Sequence, residues 1–228
     1  MPGSPSPALA LVVAGSDASG HAGIQTDNRA MLAAGVFPLN VITALTLQTG
    51  KGVESIEVTS SELVRMHLIA LLNAYPVKVL KAGMLGSVGN VSVLIEVLEQ
   101  YPDIHLVLDP VLSASSGRPL LEKEGVEKLR QGLLKHCYLL TPNLPELAQL
   151  SGMPEVSSDE EEKYAVEELL SAGCKAILVK GGHRQGDQAL DRLYQKGVVA
   201  ELAAKSVTTF NDRGTGCALA SLIAAGLV

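Results

Sequence analysis

The stretch Leu9-Ala10-Leu11-Val12-Val13-Ala14-Gly15-Ser16-Asp17-Ala18-Ser19-Gly20-His21-Ala22-Gly23 carries the first unit of the fold. Six apolar residues in a row, without polar alternation, predict a strand buried on both faces and closed by Gly15. A glycine-rich turn follows and opens a helix over residues 24–34, closed by Gly35. Working outward, the same alternation recurs. Strands are predicted at 41–47, 77–82, 105–108, 138–141 and 176–180. Helices are predicted at 60–73, with Ser60 as N-cap, and at 88–98, 125–134 and 159–172. Residues 189–194 and 198–203 flank Gln195-Lys196-Gly197 as a hairpin, and a last helix spans 215–225. Strands alternating with helices imply an α/β fold of three layers, αβα, with a mostly parallel central sheet. The expectation is one domain over 8–228, preceded by a flexible arm, 1–7.

Composition narrows the function classes. The chain has 228 residues, 47% of them apolar, which is enough for a sizeable core. Its net charge is −6 with no basic stripe, so a nucleic-acid binder is not expected. The run 8–14 is far too short to span a bilayer, and the start lacks a basic signal-peptide region. A cytoplasmic location is the default expectation. Cys137, Cys174 and Cys217 lack CxxC spacing, and the five histidines show no metal-ligand spacing.

In open parallel sheets, ligands gather at the carboxyl ends of the strands. The polar residues there are Ser16-Asp17, Gln48, Lys81, Asp109, Asn143 with Glu146, and Lys180, from six separate loops. The turn after strand one is not GxGxxG, and no acidic residue ends the second strand, which disfavours a dinucleotide fold. Gly214-Thr215-Gly216-Cys217 leads into an apolar helix, where free N–H groups attract anions and the dipole favours a thiolate. Alone, that turn reads equally as a capped helix start with an inert cysteine. Asp109 and Glu146 are oxygen donors of the kind Mg²⁺ takes, usually through water, when phosphates share the ion. Lys180-Gly181-Gly182-His183 puts a lysine within reach of a phosphate, or simply in solvent. The Gln48 carboxamide matches the ring nitrogen and exocyclic amine of an aminopyrimidine, or is a surface glutamine.

Taken together these segments resemble the hydroxymethylpyrimidine/phosphomethylpyrimidine kinases of thiamine biosynthesis, in the ribokinase-like superfamily. The resemblance spans residues 9–225. It rests on 14–17 with 23–27, 41–44 with Gln48, and Lys81-Ala82-Gly83-Met84-Leu85. Leu108-Asp109-Pro110-Val111, Thr141-Pro142-Asn143-Leu144-Pro145-Glu146, Lys180-Gly181-Gly182-His183 and Gly214-Thr215-Gly216-Cys217 complete it. It implies ATP-dependent phosphorylation of 4-amino-5-hydroxymethyl-2-methylpyrimidine and then of its monophosphate. By position, Gln48, Asp27, Gly15 and Met84 would line the pyrimidine pocket, and Gly214, Thr215 and Gly216 the anion hole. Cys217 matches the family's own cysteine at the catalytic position. Asp109, Asn143, Glu146 and Lys180 would serve ATP and Mg²⁺. Symmetric dimers are common in the family, so the resemblance makes a homodimer one partner state, which no feature of the sequence fixes. Two departures stand out. The family usually has Asn-Thr-His before Gly-Thr-Gly-Cys; here Asn211-Asp212-Arg213 stands there, with Arg213 able to clamp a phosphate and Asp212 able to repel one. The family also continues with further helices beyond the position of Val228, so the expected domain lacks them. The alternatives are a pyridoxal kinase, or a non-catalytic pyrimidine-binding domain.

Overall fold

The computed structural model describes residues 7–49, 52–114, 117–181, 188–196, 198–205 and 213–228. Its sheet runs β1 (Leu9–Asp17), β2 (Phe37–Thr49), β3 (Gly52–Val58), β4 (Val79–Ala82), β5 (His105–Leu108), β6 (Cys137–Leu140), β7 (Ala176–Val179), β8 (Gln188–Gln195) and β9 (Val198–Lys205). The helices are α1 (Gly23–Ala33), α2 (Ser61–Ala74), α3 (Val88–Gln100), α4 (Lys123–Lys128), α5 (Leu144–Ser151), α6 (Asp159–Ser171) and α7 (Thr215–Gly226). The spatial order is β3-β2-β1-β4-β5-β6-β7-β8-β9. The six strands from β2 to β7 are mutually parallel, and β3, β8 and β9 are antiparallel additions at the two edges.

Side-chain alternation sorts the core into two layers. Leu11 and Val13 of β1, Leu80 of β4, and Leu106 and Leu108 of β5 face α2, α3, α5 and α6. Ala10, Val12, Ala14, Val79 and Val107 face α1 and α7, which contribute Ile24, Met31, Ala220 and Ala224. The three-layer αβα expectation therefore holds. The chain leaves β1 toward β2 on one side and leaves β4 toward β5 on the other. The crevice beyond the carboxyl ends of β1 and β4 is thus the topological switch point, where this class of sheet binds ligands.

Several local expectations are revised. β1 does not stop at Gly15; it runs on to Asp17 through a register shift between Ala14 and Ser16. β3 was not expected from the sequence, and it pairs along the end of β2. The helix expected at 125–134 is α4 followed by a widened turn, Leu129–Leu133, and a tight one, Leu134–His136. Of the sequence motifs, residues 1–6, Gly182, His183, Asn211 and Asp212 lie outside the described residues.

Candidate active site

The glycine turn is built by close approach. Gly214 has φ +75°, and a β-carbon there would lie 2.1 Å from the His21 carbonyl oxygen. Only glycine fits such a left-handed position against another backbone. The loop it rests on is itself fixed. The Asp17 carboxylate, 3% exposed, accepts hydrogen bonds from the N–H groups of Ser19, His21 and Ala22. Asp17, a rim residue in the sequence, is therefore the organiser of this loop. Gly23, at φ +57°, lies against the Gly15 carbonyl and starts α1.

Two clefts meet over this floor. The first is lined by Gly15, Gln48, Met84 and Cys217, together with Val53, Val111 and Leu120. Three of the four expected pyrimidine-pocket residues are thus together. The second cleft is lined by Asp109, Glu146, Lys180 and Arg213, with Gly214, Thr215 and Gly216. Gln48 and Cys217 line both. The turn from Gly214 to Cys217 opens α7 with Gly214 as N-cap, without a side-chain cap hydrogen bond.

Asp27 departs from the expectation. It is fully buried and does not line the cleft; Lys81 Nζ donates to its Oδ1 at 2.8 Å, and Ser221 Oγ donates to the same oxygen at 2.8 Å. Strand parity is the reason. Lys81 pairs with Val12 and Val107, so its side chain enters the α1–α7 layer and draws Asp27 to it, while Lys81 itself still lines the floor of the first cleft. Burial raises the Asp27 carboxyl from its ordinary value, partly offset by the Lys81 ammonium and the two donors. For Lys81, burial disfavours the charge, but Asp27, Cys217 and Asp109 together outweigh it and hold the ammonium above its ordinary value.

In the second cleft Lys180 Nζ lies 2.8 Å from Asp109 Oδ1 and 3.7 Å from Glu146 Oε2. Burial opposes the Asp109 charge, yet Lys180, Lys81 and the Thr141 hydroxyl hold the carboxyl below its ordinary value. The Lys180 ammonium is likewise held above its ordinary value by Asp109 and Glu146, against the effect of burial. Asn143 does not face phosphate chemistry alone. Its Oδ1 accepts from the Glu146 N–H at 2.8 Å, and its own N–H donates to Glu146 Oε2 at 2.9 Å, a reciprocal cap on α5. Burial pushes the Glu146 carboxyl up to about 7, with Lys180 pulling it down and Asp109 pushing it up.

Cys217 is not a ready thiolate. Burial pushes its thiol up to about 11; the Lys81 ammonium and the Gly23 N–H pull it down, and the carboxylates of Asp109 and Asp27 add to the rise. The helix dipole is therefore outweighed here by desolvation.

A family profile described as phosphomethylpyrimidine kinase matches residues 17–228. The chain belongs to the phosphomethylpyrimidine kinase family. It is accordingly a phosphotransferase. A hydroxymethylpyrimidine/phosphomethylpyrimidine kinase of Rhizobium meliloti is 38% identical over 220 residues, covering 96% of this chain and 82% of that protein. The corresponding Escherichia coli protein is 38% identical over 216 residues, covering 95% and 81%. A crystal structure of a Clostridium difficile phosphomethylpyrimidine kinase superposes with a TM-score of 0.83 at 34% identity, covering 96% of this chain and 90% of that one. An ADP complex of Bacillus subtilis pyridoxal kinase superposes with a TM-score of 0.89 at 26% identity, covering 97% and 84%.

Residues that sequence reading missed are those that close the first cleft. Val111 and Leu120 come from the β5–α4 loop and Val53 from β3. Arg118 ties the two, donating to the Val53 and Glu54 carbonyls at 3.0 and 2.8 Å. No spacing in the sequence marks that pairing.

Proposed function

We propose that this chain transfers a phosphoryl group from ATP to the hydroxymethyl oxygen of 4-amino-5-hydroxymethyl-2-methylpyrimidine, and then to the resulting monophosphate. The observation that carries this reading is the seam. A narrow cleft with Gln48 and Met84 joins a polar cleft with Lys180 and the glycine turn, and Cys217 stands at the junction. The first suits a flat aminopyrimidine, with the Gln48 carboxamide answering its ring nitrogen and amine. The second suits phosphates, through backbone N–H groups and the Lys180 ammonium.

The chain's own groups then perform the transfer by positioning. The N–H groups of the Gly214–Cys217 turn face the transferring phosphoryl group, whose charge is spread over its oxygens. Lys180, held charged by Asp109 and Glu146, balances charge on the phosphate side. Cys217, protonated at neutral pH, holds the acceptor hydroxyl at the seam, and the loose transition state makes little demand on a strong base. Among the described residues no group of three or more His, Cys, Asp or Glu is arranged to cage a metal ion. The hard oxygens of Asp109 and Glu146 suit Mg²⁺ held through water and shared with phosphates, where it would offset phosphate charge.

The test measures ADP and phosphorylated pyrimidine with wild type and Cys217→Ala at saturating substrates. The expected result is wild-type turnover and a loss of about tenfold or more in the variant. Near-normal turnover in the variant removes Cys217 from the mechanism. The likeness to pyridoxal kinases favours one second reading, phosphorylation of pyridoxal. Gln48 argues against it, because pyridoxal lacks the amine that the carboxamide would meet. Competitive turnover of the two substrates decides, and pyrimidine binding without ADP release would mark a non-catalytic binding domain.

A further inference from the structure

The layer between the sheet and helices α1 and α7 is built of Ala, Val, Leu, Ile and Met, with one charged exception. Lys81 from β4, Asp27 from α1 and Ser221 from α7 converge on a single carboxylate oxygen, and all three are 0% exposed. A buried ion pair is no more stabilising than apolar side chains of the same volume, so stability alone does not account for it. Its position does. Ser221 lies one turn after Cys217 on α7, so the two share a face of the helix. The face that offers the thiol to the seam also offers the hydroxyl to Asp27.

Helix α7 needs such a fixture. Its buried apolar residues are small, Ala220, Ala224 and Ala225, its larger ones, Leu219, Ile223 and Leu227, are only partly buried, and its first turn has no side-chain cap. Apolar contact of this kind is non-directional and sets neither the height nor the rotation of a helix sharply. A hydroxyl–carboxylate hydrogen bond of 2.8 Å does, because it weakens steeply with distance and angle. The carboxylate is itself anchored by Lys81, which sits in the sheet between Val12 and Val107.

We propose that Ser221 is a positioning residue that, through Asp27 and Lys81, bolts α7 to the sheet and so sets the anion-hole turn at its working distance from the acceptor cleft. This rests on the phosphoryl-transfer reading given above. Gly15, Gln48 and Met84, which would hold the pyrimidine, lie on β1, on β2 and after β4, none of them on α7, so loss of the Ser221 hydroxyl leaves them and Lys81 in place.

The experiment compares wild type, Ser221→Ala and Ala224→Gly. Ser221→Ala removes one oxygen and favours the helix. Ala224→Gly weakens the same helix one turn on without touching the carboxylate. Turnover is measured against pyrimidine concentration, and amide hydrogen exchange is followed in peptides covering 213–221. The expected result for Ser221→Ala is a kcat about tenfold lower with KM for the pyrimidine within about twofold, and faster exchange of the first turn. Ala224→Gly should keep its kcat within about twofold while its melting temperature falls. Unchanged kcat in Ser221→Ala, or an equal loss in Ala224→Gly, overturns the proposal. If the wild type itself fails to phosphorylate the pyrimidine, the functional reading falls. Exchange alone then judges the bolt, which survives only if the first turn loosens in Ser221→Ala and not in Ala224→Gly. Should Ser221→Ala not accumulate as folded protein, Ser221→Cys carries the same comparison with a weak donor of similar shape.

Discussion

Replacing Gly214 by alanine tests the anion hole directly. The residue has φ +75°, so an alanine there adopts a left-handed conformation at about 1–2 kcal/mol. Its β-carbon would also sit 2.1 Å from the His21 carbonyl oxygen and 3.2 Å from Thr26 Oγ1. Restoring an ordinary carbon–oxygen contact requires a displacement of about 1 Å. The His21 side cannot yield cheaply, because the Asp17 carboxylate holds Ser19, His21 and Ala22 by their N–H groups. The Gly214 turn must therefore move, and it carries the donors. A misplacement of that size at a reacting centre costs about 10²-fold in rate. Losing one preorganised donor outright costs about 3 kcal/mol in barrier. The assay is ADP release at saturating pyrimidine and nucleotide, with pyrimidine binding followed by calorimetry. The expected outcome for Gly214→Ala is kcat lower by about two orders of magnitude, pyrimidine affinity little changed, and a melting temperature lower by several degrees. Gly226→Ala is the matched control, since nothing lies within 4 Å of a β-carbon there and its φ is not positive. A Gly214→Ala enzyme with kcat within about threefold of wild type would refute the placement of the donors.

Three further outcomes are expected. Burial lifts the Glu146 carboxyl from 4.5 to about 7, so between those values the folded chain keeps a proton that the unfolded chain has lost. Stability therefore falls as pH rises across that window. Glu146→Gln, which can still cap α5, should flatten the difference between urea midpoints at pH 5 and pH 8; an undiminished difference would assign the slope to another group. Arg118→Ala frees the β5–α4 loop from β3, and should raise KM for the pyrimidine about fivefold and release more ADP than phosphorylated product. A stoichiometry still at one ADP per product would show that the first cleft closes without Arg118. The Cys217 thiol, pushed up to about 11, should react slowly with iodoacetamide at pH 7 and faster at each higher pH. Cys137 and Cys174, both buried, should label only on unfolding, and mass spectrometry of the labelled peptides reads all three sites.

The parallel strands were legible because each is a short unbroken apolar run, and the rule placing ligands beyond their carboxyl ends then brought Asp109, Glu146, Lys180 and Gln48 to one rim. What escaped depended on partners distant in the chain. β3 carries Glu54, Ser55 and Glu57 and contributes little core, so its sequence Gly52-Val53-Glu54-Ser55-Ile56-Glu57-Val58 has no buried stripe; it forms a strand because β2 extends beyond the sheet and offers it a ladder. Gly15 reads as a stop, yet here it accommodates a bulge within β1 against Met84. Lys81 looks like a rim residue because it falls near the end of its strand; its parity, opposite to Leu80 and Ala82, turns its side chain into the α1–α7 layer. Asp27 followed Lys81 into the core. Arg118 carries no local signal, because its acceptors are backbone carbonyls more than sixty positions earlier.

Glu146 uses one carboxylate oxygen, Oε2, both to close the start of α5 and to meet Lys180. The two tasks make different demands: the first accepts a neutral amide as readily as a carboxylate, the second needs the charge. Aspartate is too short to reach back to the Asn143 N–H, and alanine would open the helix and the cluster together. The position is therefore constrained from two sides at once. Adaptation of this cleft toward a different phosphate donor should pass through Asp109 or Arg213, each of which can vary without unwinding a helix, and leave Glu146 in place.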